Sequence, residues 1–334
     1  VTFPMLTTTE EPPSKRSRGS VEEPEDVSRS SSLKSPIMLL TGHDAPISTV
    51  KFDPSGRYVA SGSHDKRIFL WNVQGDCDNF NVLEGHKNVI LDLEWNSSGS
   101  KIISASADKT VGIFDVMQGK RQKKYTGHTA VVNSVNMSRC HNHMAVSGAD
   151  DALALVWDFR SRTFAQKIES EFAITSVSYS ADNNLIFTSG IDNVVKAWDT
   201  RQEMVLFTME GHRDTVTGMS LSPDGSKLLT NSMDKSLICW DVRPHNTEGR
   251  LVKAFEGAQH NLERTLLKCS WSPDGEMVSC GSSDQVCHIW DVPSGEELYN
   301  LPGHAGSVNE VAFHPTEPII ASCGSDKKIY LGEL

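Results

Sequence analysis

The sequence predicts an all-β fold: a seven-bladed β-propeller, closed by an N-terminal strand that completes blade seven and preceded by a disordered tail. Three observations carry this reading. A Trp-Asp pair or a stand-in recurs seven times, as Trp71-Asn72, Phe114-Asp115, Trp157-Asp158, Trp198-Asp199, Trp240-Asp241, Trp290-Asp291 and Gly332-Glu333. The steps between first members are 43, 43, 41, 42, 50 and 42 residues, a period that one four-stranded blade occupies. Gly-His stands upstream of most of these pairs, and turn signals separate short alternating runs between the two marks.

Taken in chain order, residues 1–34 are rich in Ser, Thr, Pro and Glu and nearly lack aromatics. Such a segment cannot bury enough apolar area to offset its ordering entropy, so it is read as a tail and residues 35–334 as the propeller. Pro36 to Leu40 form a surplus strand ahead of Gly42-His43. The last repeat stops after its third strand, so the surplus strand is expected to complete it and remove the exposed edge. Each repeat between follows one template: a short run to Gly-His, about nine residues to an aromatic or apolar residue, a turn such as Asp53-Pro54-Ser55-Gly56, a strand with Ser or Thr, a tight turn with Asp, and a strand ending in Trp-Asp. Pro223-Asp224-Gly225 and Pro273-Asp274-Gly275 carry the same turn chemistry, with Gly at the left-handed position. The 50-residue step places extra length around Pro244 to Gly249, a candidate contact loop or a plain extension.

Within the template, polar residues recur at fixed offsets. The histidines are His43, His86, His128, His212 and His304. The hydroxyls are Ser61, Ser104, Ser147, Thr188, Thr230 and Ser322. Four residues after each hydroxyl slot comes an acid: Asp65, Asp108, Asp151, Asp192, Asp234, Asp284 and Asp326. Six further on stand Trp71, Trp157, Trp198, Trp240 and Trp290. A Ser-His-Asp set invites a hydrolase reading, yet a nucleophile site occurs once in a pocket and this set occurs once per blade. It is better read as a hydrogen-bonded chain from indole through hydroxyl and imidazole to carboxylate, pairing atoms that would each cost about 1–3 kcal/mol if buried alone. Blade four has Glu169-Ser170 in place of Gly-His, blade six Cys280 in place of the hydroxyl and blade seven Gly332 in place of Trp. These blades are expected to rest more on packing.

Other constellations receive structural readings. Cys140-His141-Asn142-His143 holds metal-type side chains, but four ligands from one tight turn make poor tetrahedral geometry, so no zinc is expected. Phe52, Trp95, Tyr179, Trp271 and Phe313 share one repeat position on an inner strand and are read as core rather than as a base-stacking surface. Neither a phosphate-binding Gly-rich loop nor a dinucleotide fingerprint is present, and no cofactor is expected. The loops after Gly-His and around Asp should open on one face. There Pro46, Val89, Val131 and Ala173 occupy one slot in blades one to four, Thr215, Thr265 and Ser307 are assigned to it in blades five to seven, and Ile191 and Met233 stand just before their acids. An apolar arc on a polar face is the pattern of a protein interface, and these six apolar residues are the candidate partner-binding set.

Composition narrows the partners. Formal net charge is −11, of which the tail carries −1 and the body −10. An acidic body argues against broad nucleic-acid binding, which needs phosphate neutralisation. Seven cysteines, an odd number without Cys-x-x-Cys, read as reduced thiols. No apolar run approaches 18 residues, and neither a signal peptide nor a membrane span is expected. Lys15-Arg16-Ser17-Arg18 reads either as a weak nuclear-import signal or as solvated charge.

The repeats identify the chain as a member of the WD-repeat family over residues 42–333. Further segments resemble the WD-repeat subunits of the U5 small nuclear ribonucleoprotein: Ser35 to His43, Gly75 to Asn79, Leu266 to Gly275, Leu301 to Pro315, and Ser325 to Glu333 with its terminal Gly-Glu. The resemblance covers the propeller and not the tail. It implies a nuclear, non-enzymatic scaffold in pre-mRNA splicing, within the tri-snRNP and spliceosome. It also implies spliceosomal protein partners, chiefly the large U5 scaffold protein, with U5 snRNA in the same particle but little direct RNA contact, and neither membrane nor small-molecule substrate. The alternative is a WD-repeat adaptor of another complex, a ubiquitin-ligase substrate receptor or a signalling scaffold; the short polar tail leaves no room for the extra segment such adaptors usually carry.

Overall fold

The computed structural model describes residues 31–246, 249–260 and 265–334. Every regular element in them is a β-strand: 28 strands in seven antiparallel sheets of four. Each sheet is one blade, and its strands are called a to d from the channel to the rim. In blade one they are Ile47–Phe52, Tyr58–Ser63, Ile68–Asn72 and Asn79–Leu83. Burial falls along that order because inner strands have neighbours on both faces and the rim has one. Strand a of blade four, Ile174–Tyr179, is buried at all six residues, whereas strand d of the same blade, Val205–Glu210, buries only Met209. The core is divided accordingly into clusters between blades, one of them joining Val50, Val59 and Trp71 of blade one to Leu40, Ile319, Ala321, Ile329 and Leu331 of blade seven.

Ile37–Thr41 pairs with Lys328–Glu333, from Ile37 opposite Gly332 to Thr41 opposite Lys328, and so supplies strand d of blade seven. The expected closure is present, and the ends of the propeller sequence lie side by side in one sheet. The assigned tail lies outside the described residues as far as position 30, basic cluster included. Its last residues do not behave as tail. Leu33 is 3% exposed, packs in the core cluster of blades seven and one and bridges to Gly75, and Ser32 donates its backbone N–H to Glu317 at 2.6 Å. A single apolar side chain in a polar stretch is too weak a periodic signal to be read from sequence.

Strand a carries a register shift of one residue in every blade except six, for example between Ile47 and Thr49 or between Val132 and Ser134. A bulge re-aims the extra side chain. Here it points across the inter-blade gap: Asn133 Nδ2 donates to Ile174 O at 2.9 Å, Thr217 Oγ1 to Leu267 O at 2.8 Å and Asn309 Nδ2 to Ile47 O at 2.6 Å. Ser48 and Thr175 do the same in blades one and four, so five of the seven blades are hydrogen-bonded to the next in this way near the channel.

Blade six corrects one sequence assignment. Its extra length is split in two. Trp240 precedes Gly257 by 17 residues where Trp198 precedes Gly211 by 13, and Ala258 precedes Trp271 by 13 where His43 precedes Phe52 by nine. The carbonyl that pairs with the residue before the acid is therefore that of Gln259, not Thr265. Residues 247–248 and 261–264, in the two insertions, lie outside the described residues.

Candidate interaction face

The acid in each repeat sits in the turn between strands b and c, and the residue after it is left-handed: Lys66, Lys109, Ala152, Asn193, Lys235, Gln285 and Lys327 all have φ between 60° and 74°. A non-Gly residue there costs conformational energy that only a well-tethered turn sustains. The tether is the carboxylate. Asp65 accepts from the amide of Arg67 within its own turn at 3.0 Å and from the amide of Asp44 in the preceding loop at 3.3 Å. Asp108, Asp151, Asp234 and Asp326 repeat both contacts, so five acids tie the b–c turns to the d–a loops and make one rigid face.

The rest of the chain runs inward. Trp71 Nε1–H donates to Ser61 Oγ at 2.9 Å, the hydroxyl pairs with His43 Nε2 at 2.8 Å, and His43 Nδ1–H meets Asp65 at 2.7 Å. Trp157–Ser147–His128–Asp151 and Trp240–Thr230–His212–Asp234 repeat it. Blade two has Ser104–His86–Asp108 and blade seven Ser322–His304–Asp326 without an indole. The geometry sets the tautomer, Nδ1–H toward the carboxylate and Nε2 toward the hydroxyl. Burial would raise the Asp108 and Asp234 carboxyls, yet the hydrogen bonds from His86 and His212 and from nearby amides and hydroxyls hold them well below the usual range. Burial pushes the imidazoles of His128 and His304 down against the pull of Asp151 and Asp326, which keeps them neutral. A hydroxyl that accepts an indole N–H and faces an imidazole is engaged on both sides and poorly placed to attack a substrate.

Blades four and six depart from expectation in an informative way. Thr188 accepts from Trp198 Nε1 at 2.8 Å, but no histidine follows; instead Lys196 Nζ reaches Asp192 at 2.7 Å. In blade six His288 Nε2 bonds Asp284 at 2.8 Å, while its ring stacks on Trp290 at 5.6 Å and 17°. The acid is paired in both, by a base that comes from strand c rather than from the preceding loop. The signal was available: among the seven repeats only these two place a basic residue four positions after the acid, where the others have Phe69, Gly112, Leu155, Ile238 and Tyr330.

On the face itself, the amides of His64, Ala107, Asp150, Ile191 and Met233 donate to the carbonyls of Pro46, Val89, Val131, Ala173 and Thr215 at 2.9–3.4 Å. The candidate residues therefore lie in adjacent pairs around the ring, Ala173 beside Ile191 and Met233 beside Thr215. Pro46, Val89, Val131, Ala173 and Met233 are half-buried and Ile191 is 52% exposed. Phe172, 46% exposed and next to Ala173, enlarges the arc in blade four. It was missed because it lies one residue off the repeating slot.

Inside the channel a charge cluster spans four blades. The buried Glu310 carboxylate accepts from Thr49 Oγ1 at 2.6 Å and from the Val50 amide at 2.8 Å, with Lys51 Nζ at 2.7 Å and Lys268 Nζ at 3.9 Å. Lys268 also pairs with Asp92. Burial alone would raise the Glu310 carboxyl; Lys268 and Lys51 hold it low and ionised. Nearby Glu94 faces Lys51 and accepts the Trp95 amide, but burial outweighs both and raises it.

Cys140, His141, Asn142 and His143 are held by other contacts: the Cys140 thiol faces Ala181 O, the His141 amide donates to Ser138 Oγ, and Asn142 bonds Ser97. Among the described residues no group of three or more His, Cys, Asp or Glu is arranged to hold a metal ion. All seven cysteines are free thiols, and all but Cys140 are buried. Trp95, Tyr179 and Trp271 are buried, with the two indoles donating to Lys51 O and Ser220 O, while Phe52 and Phe313 are half-buried at the channel mouth.

The pattern of the WD domain, G-beta repeat family matches seven segments, residues 34–72, 78–115, 119–158, 162–199, 204–241, 249–291 and 295–331. The chain is 48% identical over 307 residues to the U5 small nuclear ribonucleoprotein 40 kDa protein of Dictyostelium discoideum, covering 92% of this chain and 86% of that one. It is 47% identical over 306 residues to the protein of that name from Homo sapiens, with the same coverage. Pre-mRNA-splicing factor cwf17 of Schizosaccharomyces pombe is 41% identical over 306 residues, covering 92% of this chain and 90% of that protein.

Proposed function

Because the chain belongs to the WD-repeat family, and within it to the family of U5 small nuclear ribonucleoprotein 40 kDa proteins, we propose that it is a non-enzymatic scaffold subunit of the U5 particle. It acts in the nucleus in pre-mRNA splicing, within the tri-snRNP and spliceosome, and binds the large U5 scaffold protein. The observation that carries the splicing role is the 47–48% identity to U5 40 kDa proteins across 92% of the chain, reinforced by the splicing-factor relative. A scaffold suits the geometry: five carboxylates lock the turns of one face, and the hydroxyls of three tetrads are engaged on both sides. The acidic body fits a protein held by protein contacts, with U5 snRNA in the same particle and little touched directly. The docking surface is the arc of Pro46, Val89, Val131, Ala173, Ile191 and Met233, with Phe172 beside it. An apolar core within a polar rim is how such interfaces are built.

The test is recovery of tagged protein from nuclear extract, probed for U5 snRNA and the large U5 scaffold protein. Both are expected to come down together in a salt-resistant complex. Val89→Glu with Val131→Glu is expected to lose the scaffold protein while melting like wild type, since both side chains are half-buried rather than core. A wild-type complex lacking both components overturns the assignment and returns the chain to the class of adaptors for other assemblies. Full recovery with the double variant overturns the choice of face.

A further inference from the structure

Blade seven has the hydroxyl, imidazole and carboxylate of a tetrad but no indole. In blades one, three and five the far edge of the Trp ring lies against the Gly of Gly-His: a Cβ built on Gly42, Gly127 or Gly211 would meet Trp71, Trp157 or Trp240 Cη2 at 3.4, 2.9 and 2.9 Å. A Cβ on Gly303 would meet nothing within 4 Å, and neither would one on Gly332, which stands where the Trp should be. The space left is a cavity of about 310 Å3 walled by Cys287, Leu301, Ile320 and Tyr330, with Ser322 inside it. Tyr330 does not fill it. Its ring stands edge-on to His304 at 4.7 Å, and its hydroxyl donates to Gly303 O, so it holds the place that Phe69 holds beside His43 in blade one. The cavity is open to solvent where Gly303 and Ile37 are exposed, the latter at 67%.

The polar group inside is also that of a complete blade. Ser322 pairs with His304 Nε2 at 2.9 Å, and His304 Nδ1 with Asp326 at 3.0 Å, so the hydroxyl proton points to the imidazole and its oxygen is left to accept. In blades one, three and five an indole N–H fills that role at 2.8–2.9 Å. Here the neighbour is the Cys287 thiol, a weak donor. We propose that this cavity binds the tryptophan side chain of a partner protein, with its indole seated beside Gly332 and its N–H donated to Ser322 Oγ. Phenylalanine would leave the hydroxyl unanswered. Free tryptophan is disfavoured because, among the described residues, no Lys or Arg lines the cavity to pair its carboxylate.

The experiment is saturation-transfer NMR on the full chain with N-acetyl-L-tryptophanamide as the probe. Transfer to the indole protons is expected from wild type, with N-acetyl-L-leucinamide giving none. Gly332→Trp should plug the cavity from within and complete the tetrad, weakening the probe at least ~10-fold and raising the melting temperature. Ile37→Trp, at the exposed mouth of the cavity, plugs it independently and carries the comparison if Gly332→Trp does not fold. No transfer to wild type, or equal transfer to a folded plugged variant, overturns the proposal. Free L-tryptophan binding as tightly as the amide overturns the partner side chain in favour of an amino-acid site.

Discussion

Glu310→Ala tests whether the ring is closed by charge as well as by the shared sheet of blade seven. Glu310 comes from strand a of blade seven, and its carboxylate is met by Thr49, Val50 and Lys51 of blade one and by Lys268 at the start of blade six. Truncation removes the acceptor from a hydroxyl and an amide and leaves Lys51 facing a channel with the raised carboxyl of Glu94 and the Lys268-paired Asp92 nearby. Breaking a buried ion pair costs about 3–5 kcal/mol. The Lys51 side chain is 23% exposed and Lys268 keeps Asp92, which places the loss at the lower end, about 3 kcal/mol. At about 2 °C per kcal/mol for a domain of this size, the melting temperature should fall by about 6 °C. Scanning calorimetry at pH 7 reads it. Glu310→Gln keeps an oxygen for Thr49 and Val50 and should lose roughly half as much. A Glu310→Ala protein melting within about 1 °C of wild type would refute the reasoning, since ring closure would then rest on the strand Ile37–Thr41 and apolar packing alone.

Two further outcomes follow from the same geometry. Lys196→Ala should destabilise by about 1–3 kcal/mol by leaving Asp192 without its ion-pair partner, and a double-mutant cycle with Asp192→Ala should return a coupling above about 0.5 kcal/mol; additive effects would show that the lysine does not replace the missing histidine. Stability should fall as pH drops from 7 toward 5. Burial pushes His128 and His304 down and His260 down to about 4, so these folded imidazoles take up protons later than their unfolded counterparts near 6.5. The stability they contribute is present above 6.5 and is lost as pH falls through the folded values, by up to about 1.4 kcal/mol per pH unit per histidine. The lowered carboxyls of Asp65, Asp108, Asp151 and Asp234 add a second loss below about 4, and a melting temperature flat from pH 7 to 5 would contradict the histidine component.

Whatever the repeat writes locally was legible without coordinates. The 42-residue period, the turn chemistry and the alternation predict seven blades, because each blade is one unit that every copy specifies again. The contacts of His43, Ser61, Asp65 and Trp71 follow from fixed offsets along neighbouring strands. The surplus strand predicts closure because a sheet short of one strand leaves an exposed edge. What depended on the assembled ring was not legible. Glu310 meets Thr49 across 261 residues of chain, and no local pattern marks that pair. Leu33 joins the core only because ring closure brings Ile329 and Leu331 of blade seven into one cluster with Val73 of blade one. The split insertion of blade six became visible once the backbone showed which carbonyl pairs with Ser283, since spacing counts total length and not where it is placed. The empty indole site follows the same division. Gly332 can be read from the sequence as a missing Trp, but a missing side chain leaves either a collapsed core or a cavity. That choice was made by Tyr330 and the walls of two blades, whose positions the rest of the ring holds in place.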